Sequence, residues 1–304
     1  MSAEASKAGV SKDKVLVTCA VTGVLANRDQ CPYLPYTAAE IGEEARRAYD
    51  AGATQVHIHG RDPKTGAMTW SAEVYRQIKE EVQKRSPIIV NFSTGGFNVG
   101  CETDAQKRAN LEHVWRVRPE VAALNMGSMN YAKYSEKRKG FVFDMVFINS
   151  FTDILIVAEA MKEGGVKPEL ECFDLGHVQN ARPLIAMGAL RPPLQYSFVL
   201  GVMGGASPTH ETLAHMSRQV RPDDQWEVIG ISRVQWALVA SALVLGGNIR
   251  VGLEDNFYLD AAGTQMAKGN APLVEKAVRM ARDVGREPMN IDEARAYLRL
   301  PQQW

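Results

Sequence analysis

The sequence predicts an α/β fold, a closed (β/α)8 TIM barrel with a short helical extension at its C-terminal end. Three observations predict this fold. Short β-rich runs that end in Gly, Asn, Asp or Ser alternate strictly with amphipathic helical stretches along most of the 304 residues. Each strand and its helix together take about 34 residues, the size of one βα unit, and eight such units close into a barrel. The first strand is followed by no glycine-rich phosphate turn, which argues against a doubly wound open sheet.

The predicted elements follow one another in regular order. Strands are short runs rich in Val, Ile, Leu and Ala, and helices are longer stretches with apolar residues every three or four positions. The predicted strands cover residues 14–22, 55–59, 87–93, 121–126, 169–174, 194–200, 226–231 and 248–254. The predicted helices cover residues 38–51, 72–84, 104–116, 150–163, 177–187, 208–220, 235–245 and 271–284, the fourth after a long insert. Thr37 and Glu40 form a capping-box pattern at the first helix, and Ser71 is an N-cap for the second.

Composition and charge exclude several classes of protein. Thirty-five basic residues balance 35 acidic ones, so no basic excess indicates nucleic acid. No apolar run reaches the ~18 residues that a membrane span needs, and the first residues lack the apolar core of a secretory signal. Residues 1–13 are expected to be a disordered leader, and residues 14–304 a single barrel domain. Four cysteines lie far apart without a CxxC pair, as expected for the reduced thiols of a cytoplasmic protein.

The second and eighth strands carry candidate metal ligands. Catalytic groups of a barrel lie at the carboxyl ends of its strands, and side chains alternate along a strand, so His57 and His59 share one face. At this location the pair favours a metal site over a hydrogen-bonded polar pair. Glu254, on the same predicted face as Arg250, is the candidate third ligand of a catalytic zinc set. Its alternative is a salt bridge to Arg250, and Asp255 is expected to point elsewhere or into the turn.

Polar residues at two other strands are further candidates. The third strand ends in two hydroxyl residues and two glycines: Ser93, Thr94, Gly95 and Gly96. Their backbone N–H groups suit an oxyanion or carboxylate, although the same residues also form ordinary turns. Glu171, at the centre of the fifth strand, is costly to bury unpaired and is expected to meet Arg250. Glu169 is expected to be an exposed strand start.

The sequence resembles the β-keto acid cleavage enzymes from about residue 14 to 300. The segments that carry the resemblance are VTGVLANRDQCPYLPYTAAEI, AGATQVHIHGRD, IVNFSTGG, KPELECFDLG, FVLGVMGGASP and NIRVGLEDN. Its most specific part is HxH on the second strand together with RVGxEDN on the eighth. The resemblance implies a (β/α)8 barrel, assembled as a homotetramer, that binds zinc through His57, His59 and Glu254.

The reaction that the resemblance implies condenses a β-keto acid with acetyl-CoA as co-substrate, giving acetoacetate and a new acyl-CoA. In this family the base matches Asp255, supported by residues that match Arg250 and Glu171. Substrate contacts are expected from Ser93, Thr94, Gly95, Gly96, Leu25 and Asn125. The residues admit this chemistry on their own, because zinc can polarise a keto oxygen and a base can remove the acidic C2 proton. The CoA thiolate then serves as nucleophile, so no nucleophilic triad is needed.

Two positions depart from a family member that acts on an amino-substituted keto acid. Leu25 stands where that enzyme has the Glu that binds the amine, and Ala123 stands in place of a Thr. Leu25 therefore predicts poor use of an amino substrate. Alkyl and dicarboxylic keto acids both remain open, the latter if Asn27 or Arg28 turns inward. Candidates for CoA phosphate contacts are Arg28, Arg61 and Arg233.

Two other functions are possible for such a barrel. A zinc hydrolase of the amidohydrolase type would need His177 or His210 as a ligand, but those enzymes carry HxH on their first strand, which has no histidine here. A catalytically inactive barrel used for binding is the other alternative, and the intact set of two histidines and a glutamate argues against it. His113 and His215 lie on predicted helices and are expected to be packing or surface residues.

Overall fold

The computed structural model describes residues 13–301. The strands are β1 (Lys14–Val15), β2 (Val17–Thr22), β3 (Gln55–Ile58), β4 (Ile89–Phe92), β5 (Val121–Asn125), β6 (Met129–Ser135), β7 (Gly140–Phe147), β8 (Lys167–Cys172), β9 (Gln195–Leu200), β10 (Gln225–Gly230), β11 (Asn248–Val251) and β12 (Glu287–Pro288). The helices are α1 (Ala38–Asp50), α2 (Ala72–Arg85), α3 (Asp104–Ala109), α4 (Glu112–Trp115), α5 (Phe151–Gly164), α6 (Leu175–Gln179), α7 (Ala181–Ala186), α8 (His210–Ser217), α9 (Gln235–Leu245), α10 (Ala271–Asp283) and α11 (Ile291–Leu298). The leader predicted for residues 1–13 lies, apart from Asp13, outside the described residues.

Eight of these strands close into a parallel barrel, which confirms the predicted fold. They pair in the order β2, β3, β4, β5, β8, β9, β10 and β11, and β11 pairs with β2 to complete the ring. Between consecutive barrel strands the chain runs through helices, so every barrel strand ends at the same face of the molecule. Thr37 and Glu40 form the predicted capping box of α1, and Ser71 caps α2. None of the helices in residues 13–301 has the length and apolar character needed to cross a membrane.

The predicted first strand is divided into two strands with different partners. β1 pairs with β12 near the C-terminal end, and β2 alone belongs to the barrel. Leu16, between them, packs with Ile89 and Val121 at the starts of two other barrel strands. Ala294 and Leu298 of α11 complete this apolar cluster. The C-terminal helix, which the sequence predicts as an extension, therefore covers the end of the barrel where the strands begin, opposite their carboxyl ends.

Two helices predicted as single elements are each broken in the structure. The stretch 104–116 forms α3 and α4, with a break where the Asn110 side chain donates to the Phe97 carbonyl group. The stretch 177–187 forms α6 and α7, with Asn180 between them. Pro183, which lacks an N–H group, stands in the first turn of α7 and could not continue α6 without losing a hydrogen bond.

The long insert after β5 is a β-hairpin that the sequence analysis did not predict. β6 and β7 pair in antiparallel register from Met129 opposite Phe147 to Ser135 opposite Gly140. The hairpin packs against the loop after β9, where Gly204 has φ +101 and a Cβ atom would lie 1.8 Å from the Asn130 carbonyl oxygen. A glycine at this position therefore lets the hairpin lie close to the strand ends.

Candidate active site

Two histidines and a glutamate meet at the carboxyl ends of β3 and β11. His57 lies in β3 and His59 directly follows it, and their rings stand edge to face with centroids 5.3 Å apart. The Nε2 atoms of His57 and His59 lie 3.6 and 3.4 Å from Glu254 Oε1. One possible ligand atom from each residue lies within 4.8 Å of the others. The structure therefore brings together the three residues that the sequence singles out as metal ligands.

A turn after β11, not the alternation of a strand, brings Glu254 to the histidines. The strand predicted for residues 248–254 ends at Val251, and Gly252 has φ +149. A Cβ atom on Gly252 would lie 2.2 Å from the Ala20 carbonyl oxygen, so only glycine fits. The Glu254 N–H group then donates to that same carbonyl group at 3.2 Å. Gly23 leaves room on the other side, because its Cβ atom would lie 2.8 Å from Glu254 Cγ.

One buried guanidinium group holds three carboxylates beside this set. Arg250, 2% exposed, donates to both oxygens of Asp255 at 3.0 Å. It also donates to Glu254 Oε1 at 2.6 Å and to Glu171 Oε1 at 3.3 Å. The expected contact of Glu171 with Arg250 is therefore present, and Glu254 faces both the histidines and Arg250. The expectation that Asp255 points elsewhere is wrong, because the turn folds its side chain back onto Arg250.

Burial shifts the protonation of the carboxyl groups around Arg250. It raises the pKa of Asp255 to about 6, and the adjacent charge of Glu254 adds to the shift while Arg250 opposes it. Burial likewise raises the pKa of Glu171 to about 8, against the opposing charge of Arg250. A carboxyl group with a pKa close to neutrality can both accept and return a proton at physiological pH, as a general base requires. Asp255 is therefore suited to proton transfer.

His57 and Glu254 have the protonation states that a metal ion needs. Burial lowers the pKa of His57 to about 3, so the imidazole is neutral and keeps a lone pair. Burial alone would raise the pKa of Glu254, but the neighbouring imidazole of His59 and the guanidinium group of Arg250 hold it below its ordinary value. Glu254 Oε2 and the Nδ1 atoms of both histidines are buried without a hydrogen-bond partner. Two imidazoles and a carboxylate fit the ligand preferences of Zn²⁺.

The loop after β4 forms a small polar pocket wall with the end of β5. Ser93 and Thr94 are buried, and Thr94 Oγ1 donates to the Ala123 carbonyl oxygen at 2.6 Å. The Gly95 N–H group donates to Ser93 Oγ at 3.2 Å. The Asn125 amide nitrogen lies 3.7 Å from the position of a Cβ atom on Gly95, and its Oδ1 atom is buried without a partner. Ser93 and Asn125 thus lie on either side of Gly95, whereas the Thr94 hydroxyl group anchors the loop to β5.

Two other predicted substrate contacts lie further out. Leu25, in the loop after β2, is 68% exposed. Gly96 has φ +79 in the turn after β4, and Met68 and Val99 are its nearest neighbours. Both residues lie in loops at the same face of the barrel as the histidines.

The arginines considered for CoA phosphates are mostly occupied by the protein itself. Arg28 pairs with Glu40 at 2.8 Å and stacks on the Tyr36 ring. Arg61 is 1% exposed and donates to a threonine hydroxyl group and two carbonyl oxygens. Arg233 is exposed in the turn after β10.

The remaining histidines do not supply metal ligands. The His177 Nδ1 atom accepts from the Phe173 N–H group at 3.2 Å, and His210 is exposed and lies 2.9 Å from Glu211. Neither belongs to a possible metal-binding group in the part of the chain that the structure describes. His113 is buried between two backbone carbonyl groups and against the Tyr75 ring, which confirms its packing role.

Glu169 is a buried residue that the sequence analysis misplaced. β8 begins at Lys167, two residues before the predicted strand, so Glu169 lies inside the barrel and is fully buried. Asn91 and Ser197 both donate to its carboxylate. The expectation of an exposed strand start is therefore wrong. The signal was present in the alternation of Lys167, Glu169 and Glu171, which share one face of a strand.

The hairpin contributes a phenol that the sequence analysis also missed. Tyr131 packs on Phe147 with centroids 5.8 Å apart, and Phe147 packs on Phe173 at the same distance. Burial raises the pKa of Tyr131 to about 12, and the negative charges of Glu254 and Glu171 add to the shift. The hairpin therefore brings Tyr131 into the neighbourhood of the carboxylates. Aromatic residues at alternate positions of 141–147 (Phe141, Phe143 and Phe147) were the available signal.

Fold and site together define a barrel enzyme with a possible metal centre and a buried arginine–carboxylate cluster. The chain belongs to the family whose model is described as beta-keto acid cleavage enzyme, which matches residues 14–300. It is 36% identical to a 3-keto-5-aminohexanoate cleavage enzyme of Fusobacterium nucleatum over 95% of this chain and 98% of that protein. It is 32% identical to a 3,5-dioxohexanoate:acetyl-CoA acetone transferase of Paraburkholderia graminis over 95% of this chain and 97% of that protein.

A solved structure shares the fold. The apo structure of ObcA superposes with a TM-score of 0.70 at 24% identity, covering 87% of this chain and 65% of that longer chain. At this identity the likeness concerns the barrel alone.

Proposed function

We propose that this enzyme condenses a β-keto acid with acetyl-CoA and releases acetoacetate and a new acyl-CoA, with Zn²⁺ bound by His57, His59 and Glu254. In the balanced reaction the acetyl group moves to C2 of the keto acid, and the acyl group of the keto acid moves to the CoA sulfur. Membership in the family and the acetyl-CoA in the name of one relative support this reaction. The observation that carries it is the contact of Arg250 with Asp255, Glu254 and Glu171 beside the two histidines.

The residues of the site divide the work of this reaction. Zn²⁺, when bound, would supply a Lewis acid that polarises the keto oxygen of the substrate. Asp255 takes the proton from C2 of the keto acid and returns it to C2 of acetoacetate after the second bond has broken. Its pKa of about 6 keeps it ionised at neutral pH and still able to hold the proton. Arg250 fixes both oxygens of Asp255, and Ser93 with Asn125 orients the substrate.

The substrate is a keto acid without a positive charge. Leu25, 68% exposed in the loop after β2, offers no carboxylate to an ammonium group at the place where the resemblance puts the amine. A second carboxylate would need a cation, and Arg28 is held by Glu40 and by the carbonyl group of Leu34. These contacts favour an uncharged alkyl β-keto acid over a dicarboxylic one.

We also propose that the enzyme is a cytoplasmic homotetramer. Its four cysteines are free thiols, as expected in a reducing compartment. On β7 and the residue after it, Val142, Val146 and Ile148 are 47%, 56% and 54% exposed and share one face by alternation with the exposed Asp144. Apolar patches of this kind mark contacts between proteins, so this outward face of the hairpin is the proposed contact between subunits.

The test is a screen of β-keto acids with acetyl-CoA, in which acetoacetate and the new CoA ester are both measured. We expect equal amounts of the two products from an alkyl β-keto acid, and no acetoacetate when acetyl-CoA is omitted. Asp255→Asn is the matched negative control. Hydrolysis of a substrate without acetyl-CoA, or failure with alkyl, amino and dicarboxylic keto acids alike, would overturn the proposed reaction.

A further inference from the structure

The loop that carries Ser93 is held at both ends by residues at the break between α3 and α4. We call residues 93–97, which follow β4, the substrate loop. The Nε2 atom of His113, on α4, lies 2.9 Å from the Ser93 carbonyl oxygen. The Asn110 amide group donates to the Phe97 carbonyl oxygen at 2.7 Å, and the Asn110 carbonyl oxygen lies 3.0 Å from His113 Nδ1. His113 and Asn110 therefore contact each other and the first and last residues of the loop.

Aromatic side chains fix the orientation of the His113 ring. His113 is fully buried, and its ring stacks on that of Tyr75 with centroids 4.3 Å apart. The rings of Trp70 and Phe92 lie beside it, with centroids 5.5 and 6.4 Å away. A phenylalanine could fill this space, whereas two buried nitrogen atoms are costly unless they form hydrogen bonds. The nitrogen atoms of His113 therefore indicate a role beyond packing.

The hydrogen count of the ring shows which contact is the hydrogen bond. Burial lowers the pKa of His113 to about 4, against the two carbonyl groups that raise it, so the ring is neutral at physiological pH and has one N–H group. The contact with Ser93 is buried on both sides, whereas Asn110 is half-buried. A carbonyl oxygen without a donor costs more where water does not reach it. The hydrogen therefore lies on Nε2 and is donated to Ser93.

The substrate loop needs contacts from outside because it contains two consecutive glycines. Gly95 and Gly96 give the backbone more conformational freedom than other residues would, and Gly96 has φ +79. Within the loop, the Gly95 N–H group donates to Ser93 Oγ at 3.2 Å, and the Thr94 hydroxyl group connects the loop to β5. The His113 contact fixes the peptide group between Ser93 and Thr94, which lies between the end of β4 and the two glycines.

We propose that His113 is a positioning residue, whose Nε2–H group holds the Ser93 carbonyl oxygen and thereby sets the position of the Ser93 hydroxyl group towards the keto acid. His113 acts through Ser93 and not on the substrate itself. This role rests on the proposed function, in which Ser93 and Asn125 orient the substrate, whereas the hold on the loop does not. Removing the hydrogen bond should therefore weaken the binding of the keto acid more than it slows the chemical step.

The role is tested by steady-state kinetics on two matched variants. The amide nitrogen of His113→Gln can take the place of Nε2 and keep the hydrogen bond to Ser93, whereas that of His113→Asn takes the place of Nδ1 and loses it. We expect the KM for the keto acid to rise about 5–20-fold in His113→Asn, as for the loss of one buried hydrogen bond, with kcat and the KM for acetyl-CoA little changed. His113→Gln should stay close to the wild type.

A packing role alone would give a different result. Loss of folded protein lowers kcat and leaves KM unchanged, so a fall in kcat alone would overturn the positioning role. An equal rise of KM in the two variants, or a KM close to that of the wild type in His113→Asn, would overturn it as well. Thermal melting checks that both variants fold. If His113→Asn does not fold, His113→Phe replaces it in every measurement, because it keeps the ring against Tyr75 and has no nitrogen.

The hold on the loop is measured without substrate, by hydrogen exchange and mass spectrometry of a peptide that covers residues 93–97. We expect its amide groups to exchange faster in His113→Asn than in the wild type and in His113→Gln. Equal exchange in the two variants would overturn the hydrogen bond to Ser93. Faster exchange in His113→Asn together with a wild type that converts no keto acid would overturn the proposed function and leave the hold on the loop established.

Discussion

Arg250 is the residue on which the carboxylates of the site depend. It is buried and donates to Asp255, Glu254 and Glu171. Without it, three carboxyl groups would share a water-poor space with no positive charge between them, and their protonation would rise. The position of this arginine on β11, four and five residues before the two acidic residues of the following turn, therefore sets both the geometry and the charge of the site.

The metal ligands give the first prediction. His57→Ala, His59→Ala and Glu254→Ala each remove one donor from a set of three, so each should lose bound zinc and turnover. The fold should survive, because the set lies at the strand ends and not among the apolar core residues. Elemental analysis measures the zinc, and circular dichroism checks the fold. An active His57→Ala enzyme free of zinc would contradict the proposed site.

Asp255 gives the second prediction. Asp255→Asn keeps the shape of the side chain and removes the proton acceptor, so kcat should fall about 10²–10⁴-fold while zinc is retained. In the wild type the base acts only when ionised, so kcat/KM should rise with pH and level off above an apparent pKa at or below about 6. A Zn²⁺ ion bound nearby would lower this apparent pKa further. Loss of zinc in Asp255→Asn would instead indicate that Asp255 is the metal ligand and Glu254 the base.

The specificity prediction concerns Leu25. Leu25→Glu places a carboxylate where an amino group of the substrate would lie, so kcat/KM for an amino-substituted β-keto acid should rise relative to the wild type. The alkyl substrate should become poorer in the same variant, because it loses an apolar wall. Steady-state kinetics with amino, alkyl and dicarboxylic substrates measure this exchange. A wild type that already prefers the amino substrate would show that Leu25 does not set specificity.

At the scale of elements, the turn after β11 is the most demanding local structure of the site. In Gly252→Ala the added Cβ atom meets the Ala20 carbonyl oxygen at 2.2 Å, on a residue with φ +149. The turn must shift, so we expect the free energy of unfolding to fall by about 1–3 kcal/mol and zinc affinity to fall with it. Chemical denaturation and chelator competition measure the two effects.

Gly246→Ala is the matched control for that variant. Gly246 ends α9 with φ +82, and nothing lies within 4 Å of its Cβ position. It should lose about 1–2 kcal/mol from the backbone alone and keep its zinc affinity. Unchanged zinc affinity in both variants would mean that the turn does not position Glu254.

The elements themselves show what a single sequence can predict. Every barrel strand was found, because a short apolar run before a turn and an amphipathic helix is a local signal. Glu169 was misplaced because the strand start was set two residues late, and a strand boundary carries little local signal. The hairpin was missed because exposed positions of its strands also carry apolar residues, such as Val146. The sequence therefore shows no alternation of apolar and polar residues that would indicate a buried face.

The site was predictable in its members but not in its geometry. His57 and His59 follow from alternation in β3, which is a local property. The contact of Glu254 with them depends on a positive φ at Gly252, and the contact of Asp255 with Arg250 depends on the same turn. Both contacts depend on the pairing of β11 with β2, which closes the barrel and places the turn against Ala20. A single sequence does not show this long-range pairing.

At the scale of the whole molecule, the barrel separates stability from chemistry. One end is closed by α11 over Leu16, Ile89 and Val121. The other end gathers the polar residues, and the interior between them is not purely apolar, since Glu169, Ser197 and Glu227 lie within it. The hairpin of β6 and β7 stands beside this polar end and exposes Val142, Val146 and Ile148 together with Asp144. A subunit contact at the hairpin would therefore lie close to the site.

The last prediction tests that contact. In the double variant Val146→Asp and Ile148→Asp, two charges replace apolar side chains that are 56% and 54% exposed in the single chain. A charge is costly to bury at an interface without a partner but costs little in a free subunit. Light scattering should therefore give a tetramer for the wild type and a smaller species for the variant. Val244→Asp, at a valine of α9 that is 77% exposed, should remain tetrameric. Dissociation of the control together with an intact double variant would place the subunit contact elsewhere on the barrel.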